Sequence, residues 1–344
     1  MKKLCVCMLL AAFVGLPLFA GGGSEGGSAP QAGAQSAPQT QAMRFGSSQP
    51  PQGGFMGGMA LEFAKYVEEE TKGAITVSVH HSGSLSTNER ELLEMAQAGT
   101  VDFAMGATTY VLGWSPSMKV FDVPFLFESV DHFRKVIRGP VGKIMEDECA
   151  QHGVVLLGQI LPGFRSIFTS KKEIRSLADL KGLKIRSMES PVYINMFKAL
   201  DMLPTPMPSS ELFTALQTGV VDAGENDPAS VVSWGWVDII KYYMLDQHTI
   251  SSNVIAMNKA KFDKQTPEIR AAIKKSSDRA VDFQLNYIVG AWDDCLKIIK
   301  GKGVTVVELR DLSPFQDRVK HMAEQVDKEI GKNIVQLVRD AAKK

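Results

Sequence analysis

Two arginines stand at the ends of predicted strands, where their side chains could bind the carboxylate of a small acid. Arg186 ends one predicted strand and Arg165 begins another. A guanidinium presents a planar fork of N–H donors that matches the two oxygens of a carboxylate. Open α/β sheets commonly form their ligand crevices at strand ends. The alternative for Arg186 is a surface ion pair with Glu189 or Asp179, and spacing alone favours that pair.

Asn226 is a third polar candidate at a strand end. It follows the strand predicted over Val221–Glu225 and precedes Pro228, a residue that favours the start of a helix. Its side-chain amide can donate and accept hydrogen bonds at once, which suits the orientation of a polar ligand. A lone asparagine at this place is more often a turn residue or a helix cap, so that alternative stays open.

Motifs of common enzymes, nucleotide sites and redox sites are absent from the chain. It contains no HExxH, GxSxG, GxxxxGK[ST] or CxxC. Gly21, Gly23 and Gly26 fit GxGxxG, but no predicted strand precedes them and no predicted helix follows. His80 and His81 are neighbours on a predicted strand, so their side chains point to opposite faces and cannot share a metal ion. We therefore expect no catalysis, no cofactor and no metal site. The remaining histidines are scattered and predicted to be ordinary polar positions: His132, His152, His248 and His321.

The composition is that of a globular, exported protein. The chain has 344 residues, 38 basic against 38 acidic residues, and 44% hydrophobic residues. This balance argues against nucleic-acid binding, and the length predicts two domains. Residues 1–20 combine two lysines with an apolar stretch and are predicted as a signal peptide, either cleaved after Ala20 or retained as an anchor. Residues 21–42, rich in Gly, Ser, Ala, Pro and Gln, are predicted as a flexible linker.

The elements that must position these side chains alternate between strands and helices, which predicts an α/β fold with largely parallel sheets. Phe121–Phe127 contains Pro124 and is predicted as a bent crossing connection. Thr266 and Pro267 begin a helix of about 34 residues, or about 50 Å, which exceeds the span of one small lobe. The predicted strands are Met43–Ser47, Ile75–His81, Val101–Met105, Val154–Ile160, Ser166–Thr169, Leu183–Arg186 and Val221–Glu225.

Five segments, taken in order, resemble the solute-binding proteins of tripartite ATP-independent periplasmic (TRAP) transporters, the DctP-type family. They are FDVPFLF, GFRSIFTS, SLADLKGLKIRSMES, ELFTALQTGVVDAGENDP and SSNVIAMNKAKFDKQTPEIRAAI. Each is modest alone, but five in order are specific, and the resemblance covers the chain from about Met43 onward. It implies a two-lobed periplasmic binding protein with a hinge and a long helix spanning both lobes. We expect lobe I at 43–163 with 252–291, and lobe II at 164–251 with 292–344.

The resemblance also implies roles for the polar candidates. The family's main carboxylate-binding arginine follows LKGLKI, which is Arg186 here, and its second arginine falls on Arg165. The family's asparagine falls on Asn226. This chain departs from the family pattern by placing Asp227 between Asn226 and Pro228, so the following helix could start one residue later while the amide stays in place.

Four further residues are candidates for the pocket wall, although a packing or surface role is the alternative that each residue type favours. Met188 and Met207 predict an adaptable apolar wall. We therefore expect acids with an apolar or lightly oxygenated body, such as 2-oxo acids, to bind better than sugar acids. Trp114 and Ser48 are candidates for the rim.

Together these features predict an exported, monomeric protein that captures a small organic acid between two closing lobes. It would deliver the acid to an ion-gradient-driven TRAP permease and would perform no chemistry. Two alternatives stay open, a ligand-sensing module of a receptor and the binding protein of an ATP-driven importer. Cys149 and Cys295 could form one disulfide or remain free thiols, and the sequence does not decide between these states.

Overall fold

The computed structural model describes residues 40–51 and 55–343. The predicted signal peptide and the predicted linker as far as residue 39 lie outside the described residues. The strands are β1 (Gln41–Gly46), β2 (Ile75–His80), β3 (Phe103–Ala107), β4 (Val154–Ile160), β5 (Phe164–Thr169), β6 (Lys184–Ser187), β7 (Leu203–Pro206), β8 (Ala223–Asn226), β9 (Tyr242–Leu245), β10 (Thr249–Ile250), β11 (Asn253–Asn258) and β12 (Thr305–Glu308). The α-helices are α1 (Met56–Glu70), α2 (Glu89–Ala98), α3 (Val130–Arg138), α4 (Pro140–Gln151), α5 (Pro191–Ala199), α6 (Leu212–Thr218), α7 (Pro228–Ser233), α8 (Lys259–Asp263), α9 (Pro267–Gly301), α10 (Ser313–Val319), α11 (Met322–Ile330) and α12 (Ile334–Ala342).

The first sheet has the strand order β2-β1-β3-β11-β4. β1 is parallel to β2 and β3, whereas β11 enters antiparallel between β3 and β4. Phe45 on β1, Phe63 on α1 and Phe103 on β3 have ring centroids 5.0 to 6.2 Å apart, within the range of favourable aromatic pairs. These rings join α1 to the sheet and form the centre of its core.

The second sheet has the order β12-β9-β5-β8-β6-β7, with β10 paired to β5 outside this path. β6 is parallel to β7 and β8, whereas β5 is antiparallel to β8 and β9. Both sheets are therefore mixed, and the prediction of largely parallel sheets is wrong. The reason is that the chain crosses between the sheets, so strands that are distant in sequence insert in the opposite direction.

The chain passes between the two sheets at residues 161–163, which link β4 to β5, and again at 251–252, which link β10 to β11. Antiparallel pairing of β5 with β10 sets Arg165 opposite Thr249 and holds the two passages side by side. Gly163 lies in the first passage with φ of 151°, and a Cβ there would come within 2.7 Å of the Asp227 Cβ. A side chain at this position would therefore clash and strain the backbone.

Helix α9 is the longest helix among the described residues and contacts elements of both sheets. Its N-cap Thr266 accepts a hydrogen bond from the Ile269 N–H, and Pro267 occupies the first turn. Along its 35 residues it packs on α1 and β4 of the first sheet and on α7 and β12 of the second. The prediction of a long helix reaching both halves of the molecule is confirmed.

Two segments do not fit the predicted limits of the linker and of lobe II. β1 begins at Gln41, so the last residues assigned to the linker already pair with β2. Helices α11 and α12 were expected in lobe II, but they contact the 3₁₀ segment Pro116–Asp122, α3 and α4, which belong to the predicted lobe I. The limits of the lobes themselves stay a prediction.

Several further features concern the described residues. Cys149 and Cys295 are both buried free thiols there. The same residues contain no cluster of side chains able to hold a metal ion. We also find, in this described part, no helix with the length and hydropathy needed to cross a bilayer. Phe121–Phe127 forms no strand and runs from a 3₁₀ turn into a bent connection, as predicted.

Candidate functional site

A small cavity of about 40 Å³ lies between the two sheets, beside the passages that link them. Gln49, Glu89 and Tyr110 contribute to its wall from the first-sheet side. Arg165, Asn226 and Trp234 contribute from the second-sheet side. The cavity therefore brings together side chains that are far apart in the sequence, and it includes two of the three predicted polar candidates.

Arg186, on β6, is not itself part of the cavity wall but contacts Ser209, which is, and its side chain is fully buried. Its Nε donates to the Met207 carbonyl over 2.8 Å, and its Nη2 donates to the Ser209 Oγ over 3.2 Å. Its Nη1 makes no hydrogen bond to any described residue and lies 3.9 Å from Oε1 of Glu225. Burial lowers the pKa of Arg186, although the negative charge of Glu225 acts in the opposite direction and raises it. A buried N–H without a partner is costly, so this donor points to a missing acceptor.

The alternative of a surface pair for Arg186 is wrong. Glu189 instead faces Arg90, with 3.5 Å between Oε2 and Nη2. Asp179 accepts hydrogen bonds from the backbone and side chain of Ser176 and closes a capping box there. Neither carboxylate reaches Arg186, because strand β6 carries its side chain into the interior.

Arg165 is held by Glu225, which the sequence analysis did not select. The Arg165 Nε donates to Glu225 Oε2 over 2.5 Å, and Nη2 donates to Oε1 over 2.8 Å. Burial would raise the pKa of Glu225, but Arg165 and His248 outweigh it and lower the pKa to about 2. Arg165 still contributes to the cavity wall, and no hydrogen bond joins its Nη1 to a described residue.

His248 is also part of this charged cluster, so its prediction as an ordinary polar position is wrong. Its Nδ1 lies 2.8 Å from Oδ2 of Asp246, and its Nε2 lies 3.7 Å from Oε2 of Glu225. Burial would lower the pKa of His248, but the carboxylates of Asp246 and Glu225 outweigh it and raise the pKa to about 9. The ring is therefore an imidazolium near neutral pH.

Asn226 lies on the cavity wall and is 6% exposed. Its Oδ1 accepts from the Asp227 N–H over 3.0 Å, and its backbone carbonyl accepts from the Tyr243 hydroxyl over 2.8 Å. Asp227, the residue in which the chain departs from the family pattern, is the N-cap of α7 and accepts from the Ser230 N–H over 2.9 Å. The extra residue therefore caps the helix, and Asn226 remains at the cavity.

The wall opposite the arginines is polar. Glu89 Oε1 accepts from the Gln49 amide over 2.9 Å and from the Ser48 hydroxyl over 3.2 Å. Its Oε2 accepts from the Ala107 N–H over 2.9 Å. Burial is the main cause that raises the pKa of Tyr110 to about 12, so its hydroxyl stays neutral. On this side of the cavity, the fixed carboxylate of Glu89 can therefore accept hydrogen bonds, and the hydroxyl of Tyr110 can both donate and accept them.

The four additional candidates for the pocket wall lie in different places. Met188 contributes to the wall, and Ser48 supports Glu89 behind it. Met207 and Trp114 are not on the cavity wall and pack in the hydrophobic core. The expectation of an apolar wall is wrong, because Gln49, Glu89 and their neighbours make the cavity mainly polar. Those residues carried no local motif that could have identified them.

The chain matches the sequence profile of the bacterial extracellular solute-binding proteins of family 7 over residues 45–329. The chain belongs to this family. The 2,3-diketo-L-gulonate-binding periplasmic protein of Escherichia coli (strain K12) is 33% identical to it over 261 residues, covering 75% of this chain and 78% of the relative. The members of this family are described as solute-binding proteins.

Solved structures of TRAP solute-binding proteins have the same two-lobed fold as this family member. The sugar acid binding protein from Advenella mimigardefordensis, in complex with galactonate, has a TM-score of 0.84 and 29% identity, covering 89% of this chain and 99% of that one. The protein from Sulfitobacter sp. NAS-14.1, with bound β-D-galacturonate, has a TM-score of 0.82 and 29% identity, covering 87% and 100%. The predicted family, the two-lobed α/β fold and the function as a TRAP solute-binding protein are confirmed.

Proposed function

We propose that this solute-binding protein captures a polyhydroxylated carboxylic acid, of the sugar-acid class, in the cavity between its two lobes. The observation that carries the proposal is the buried Arg186, whose Nε and Nη2 are fixed by protein acceptors while Nη1 has no hydrogen-bond partner among the described residues. A carboxylate oxygen would supply the missing acceptor and a charge-assisted hydrogen bond.

The carboxylate end of the ligand would be bound by three groups. Arg186 Nη1 is the primary donor, and Nη1 of Arg165 is the second, since the other donors of Arg165 are occupied by Glu225. The Asn226 amide nitrogen adds a third donor, because its Oδ1 is already occupied by the Asp227 N–H. The atoms that remain available on Arg186, Arg165 and Asn226 support ligand-binding roles for all three residues.

The body of the ligand would face Glu89, Gln49 and Tyr110 across the cavity. A fixed carboxylate and a neutral hydroxyl suit the hydroxyl groups of a sugar acid. A site built to hydrogen-bond such groups discriminates strongly against analogues that lack them, because its own polar groups would be left unpaired. The relatives with bound galactonate and galacturonate support this class of ligand.

Membership of the family supports a periplasmic location and delivery of the acid to TRAP permease subunits. In this proposal the chain performs no chemistry, is exported by residues 1–20 and acts as a monomer on a linker that ends before β1 begins at Gln41. Lobe I (43–163 with 252–291) and lobe II (164–251 with 292–344, apart from α11 and α12, which contact lobe I) would close by rigid-body motion about the two passages between the sheets. A ligand that contacts both lobes favours the closed state by its differential affinity.

A thermal-shift panel tests the ligand class. D-Galacturonate and D-galactonate should raise the melting temperature more than pyruvate and 2-oxobutyrate at equal concentration. A ligand at 100 times its Kd stabilises the fold by about 2.7 kcal/mol, so binding is readily seen. Larger shifts with the 2-oxo acids would contradict the sugar-acid class, and no shift with any carboxylate would contradict the proposed function.

The role of Arg186 is tested by calorimetry on Arg186→Ala with the best acid of that panel. Truncating one partner of a buried charge pair costs roughly 2 to 5 kcal/mol, which is about 30-fold to several thousand-fold in affinity. The matched control is Arg175→Ala, whose side chain is 71% exposed and pairs with Glu173. The control should bind like the wild type, and a loss below about fivefold in Arg186→Ala would reject the assignment.

A further inference from the structure

His248 lies where the ligand cluster meets the passage between the two sheets. It directly precedes β10, whose Thr249 pairs with Arg165 on β5. Its backbone carbonyl accepts from the Phe125 N–H over 2.8 Å, so the same residue also contacts the bent connection over 121–127. The ring is fully enclosed, with 1% of the residue exposed. One residue thus connects the charged cluster, the second passage and the first lobe.

Both ring nitrogens of His248 face carboxylates. Asp246 Oδ2 lies 2.8 Å from Nδ1, and Asp246 Oδ1 accepts from the Ile167 N–H over 3.0 Å, which fixes Asp246 to β5. Glu225 Oε2 lies 3.7 Å from Nε2, a distance too long for a hydrogen bond but suited to an ion pair. The ring of Phe197 lies edge-on with a centroid separation of 6.0 Å and adds no charge. An imidazole enclosed between two carboxylates is stabilised in its protonated form.

The position of this cation matters because two arginines compete for Glu225. Oε1 of Glu225 lies 2.8 Å from Arg165 Nη2 and 3.9 Å from Arg186 Nη1. A small rotation of the carboxylate toward Arg186 would occupy the donor that a ligand carboxylate needs. The imidazolium of His248 attracts the other oxygen of Glu225, Oε2, which lies 3.7 Å from its Nε2. Its charge therefore keeps Glu225 on Arg165 and leaves Arg186 Nη1 available.

We propose that His248 is a positioning residue for the acid-binding site, holding Glu225 against Arg165 so that Arg186 remains free to bind the ligand carboxylate. This inference rests on the proposed function, because it assumes that an acid occupies Arg186. His248 acts through Glu225 and does not line the cavity itself. The charged groups that face it or its partner are Asp246 on its own segment, Glu225 on β8, Arg165 on β5 and Arg186 on β6.

The first test compares the pH dependence of D-galacturonate binding by calorimetry in the wild type and in His248→Gln. Neutral glutamine should weaken binding roughly tenfold near pH 7.5, which is within the usual range of coupling between linked sites. Wild-type affinity should fall by a similar factor as the pH rises through about 9, where His248 loses its proton. The variant should show no such fall. The matched control is His321→Gln, an exposed histidine at the start of α11, and it should behave as the wild type.

A second measurement does not depend on the variant or on a ligand. Long-range ¹H–¹⁵N correlation spectra of the wild type report the protonation of each imidazole directly. His248 should be doubly protonated near pH 7.5, and a neutral ring at that pH would overturn the inference even if His248→Gln failed to fold.

The outcomes separate this inference from the proposed function. Unchanged affinity in His248→Gln together with lost binding in Arg186→Ala would reject the positioning role and keep the acid site. Unchanged affinity in Arg186→Ala would reject the acid site itself. Weakened binding in His248→Gln with a pH profile still like that of the wild type would show a merely structural effect and would also reject the positioning role.

Discussion

Glu225 determines what each of the two buried arginines can do. It occupies Nε and Nη2 of Arg165 and leaves Nη1 of Arg186 without a hydrogen-bond partner among the described residues. Two arginines that look equivalent in the sequence therefore have different roles. Arg165 chiefly balances a buried carboxylate, whereas Arg186 is the arginine that the proposed function assigns to the ligand carboxylate.

Glu225→Gln should destabilise the fold, because it leaves the buried Arg165 without its ionic partner. Breaking a buried ion pair on one side typically costs 3 to 5 kcal/mol, so the free energy of unfolding should fall by about that amount. Urea denaturation measures it. Glu173→Gln, which disturbs an exposed pair with Arg175, should stay within about 0.5 kcal/mol of the wild type. Equal stability of the two variants would show that Glu225 is not needed to balance Arg165.

Asp122 is a buried carboxyl at the contact between the two halves of the molecule. Its Oδ2 accepts from the Ser190 hydroxyl over 2.6 Å, while Oδ1 has no partner among the described residues. Burial, only partly offset by the Ser190 hydrogen bond and by Arg165, raises the pKa of Asp122 to about 7. The folded state therefore holds this proton more tightly than the unfolded state does, and the protonated carboxyl stabilises the fold at low pH.

The pH dependence follows from that shift. A carboxyl whose folded pKa is about 7 and whose unfolded pKa is about 3.9 contributes stability below about pH 4 that is lost as pH rises through 7. Asp122→Asn removes this loss. The free energy of unfolding of the variant minus that of the wild type should therefore be about 1 to 3 kcal/mol larger at pH 8 than at pH 4. Denaturant unfolding at both pH values measures the difference. If the variant differed from the wild type by the same amount at pH 4 and at pH 8, Asp122 would not titrate as described.

At the scale of elements, the passage between β4 and β5 depends on a residue without a side chain. Gly163→Ala would place a methyl group 2.7 Å from the Asp227 Cβ at a φ of 151°, so we expect a loss of about 1 to 3 kcal/mol in thermal or urea unfolding. Gly290→Ala is the matched control. It lies in the exposed interior of α9 with no described atom within 4 Å of the added methyl, and it should gain about 0.5 to 1 kcal/mol. Losses of equal size would contradict the local strain at Gly163.

Elements with a strong local signal could be predicted from the sequence. β4 was predicted with both of its ends correct, because the apolar run Val154–Leu157 marks most of it. The start of α9 at Thr266 and Pro267 follows from capping chemistry. β7 was missed because Pro204 and Pro206 argue against a strand, although proline is tolerated at a sheet edge such as this one. The insertion of β11 between β3 and β4 is a long-range pairing that no local pattern shows.

The site was predictable only where its residues carried a local signal in the sequence. Arg186, Arg165 and Asn226 were selected because they end strands or follow a family motif, and they lie together at one side of the cavity region. Glu225 and His248 were missed because their importance comes from pairing across strands that are far apart in sequence. Glu225 did carry one signal, because it is an acidic residue at the end of the strand predicted over Val221–Glu225, and a carboxylate that a strand carries into the interior requires a partner.

At the scale of the whole molecule, the cavity is too small for the proposed ligand as it stands. Its volume is about 40 Å³, whereas ligand pockets usually measure roughly 300 Å³ or more. An acid can therefore enter only when the lobes separate. Arg90 and Glu189, which follow the wall residues Glu89 and Met188, form an ion pair that would have to break in that motion.

Small-angle X-ray scattering tests this motion. The free protein in solution should populate an arrangement more open than the one described, so saturating D-galacturonate should lower the radius of gyration of the wild type by favouring the closed arrangement. Arg186→Ala under the same conditions should show no change. An unchanged radius in the wild type, with binding established by calorimetry, would contradict closure between lobes.

Helix α9 has a mechanical consequence for the same motion. Its 35 residues make a rod of about 52 Å that is packed on both halves of the molecule. A helix without a kink bends only gently, with a radius of curvature of roughly 60 to 100 Å. The rod therefore limits the arc through which the halves can swing, and it resists bending with an elastic restoring force. Elastic energy stored in a bent α9 would return the two halves to their ligand-free arrangement once the ligand has left, without an external source of energy at that step.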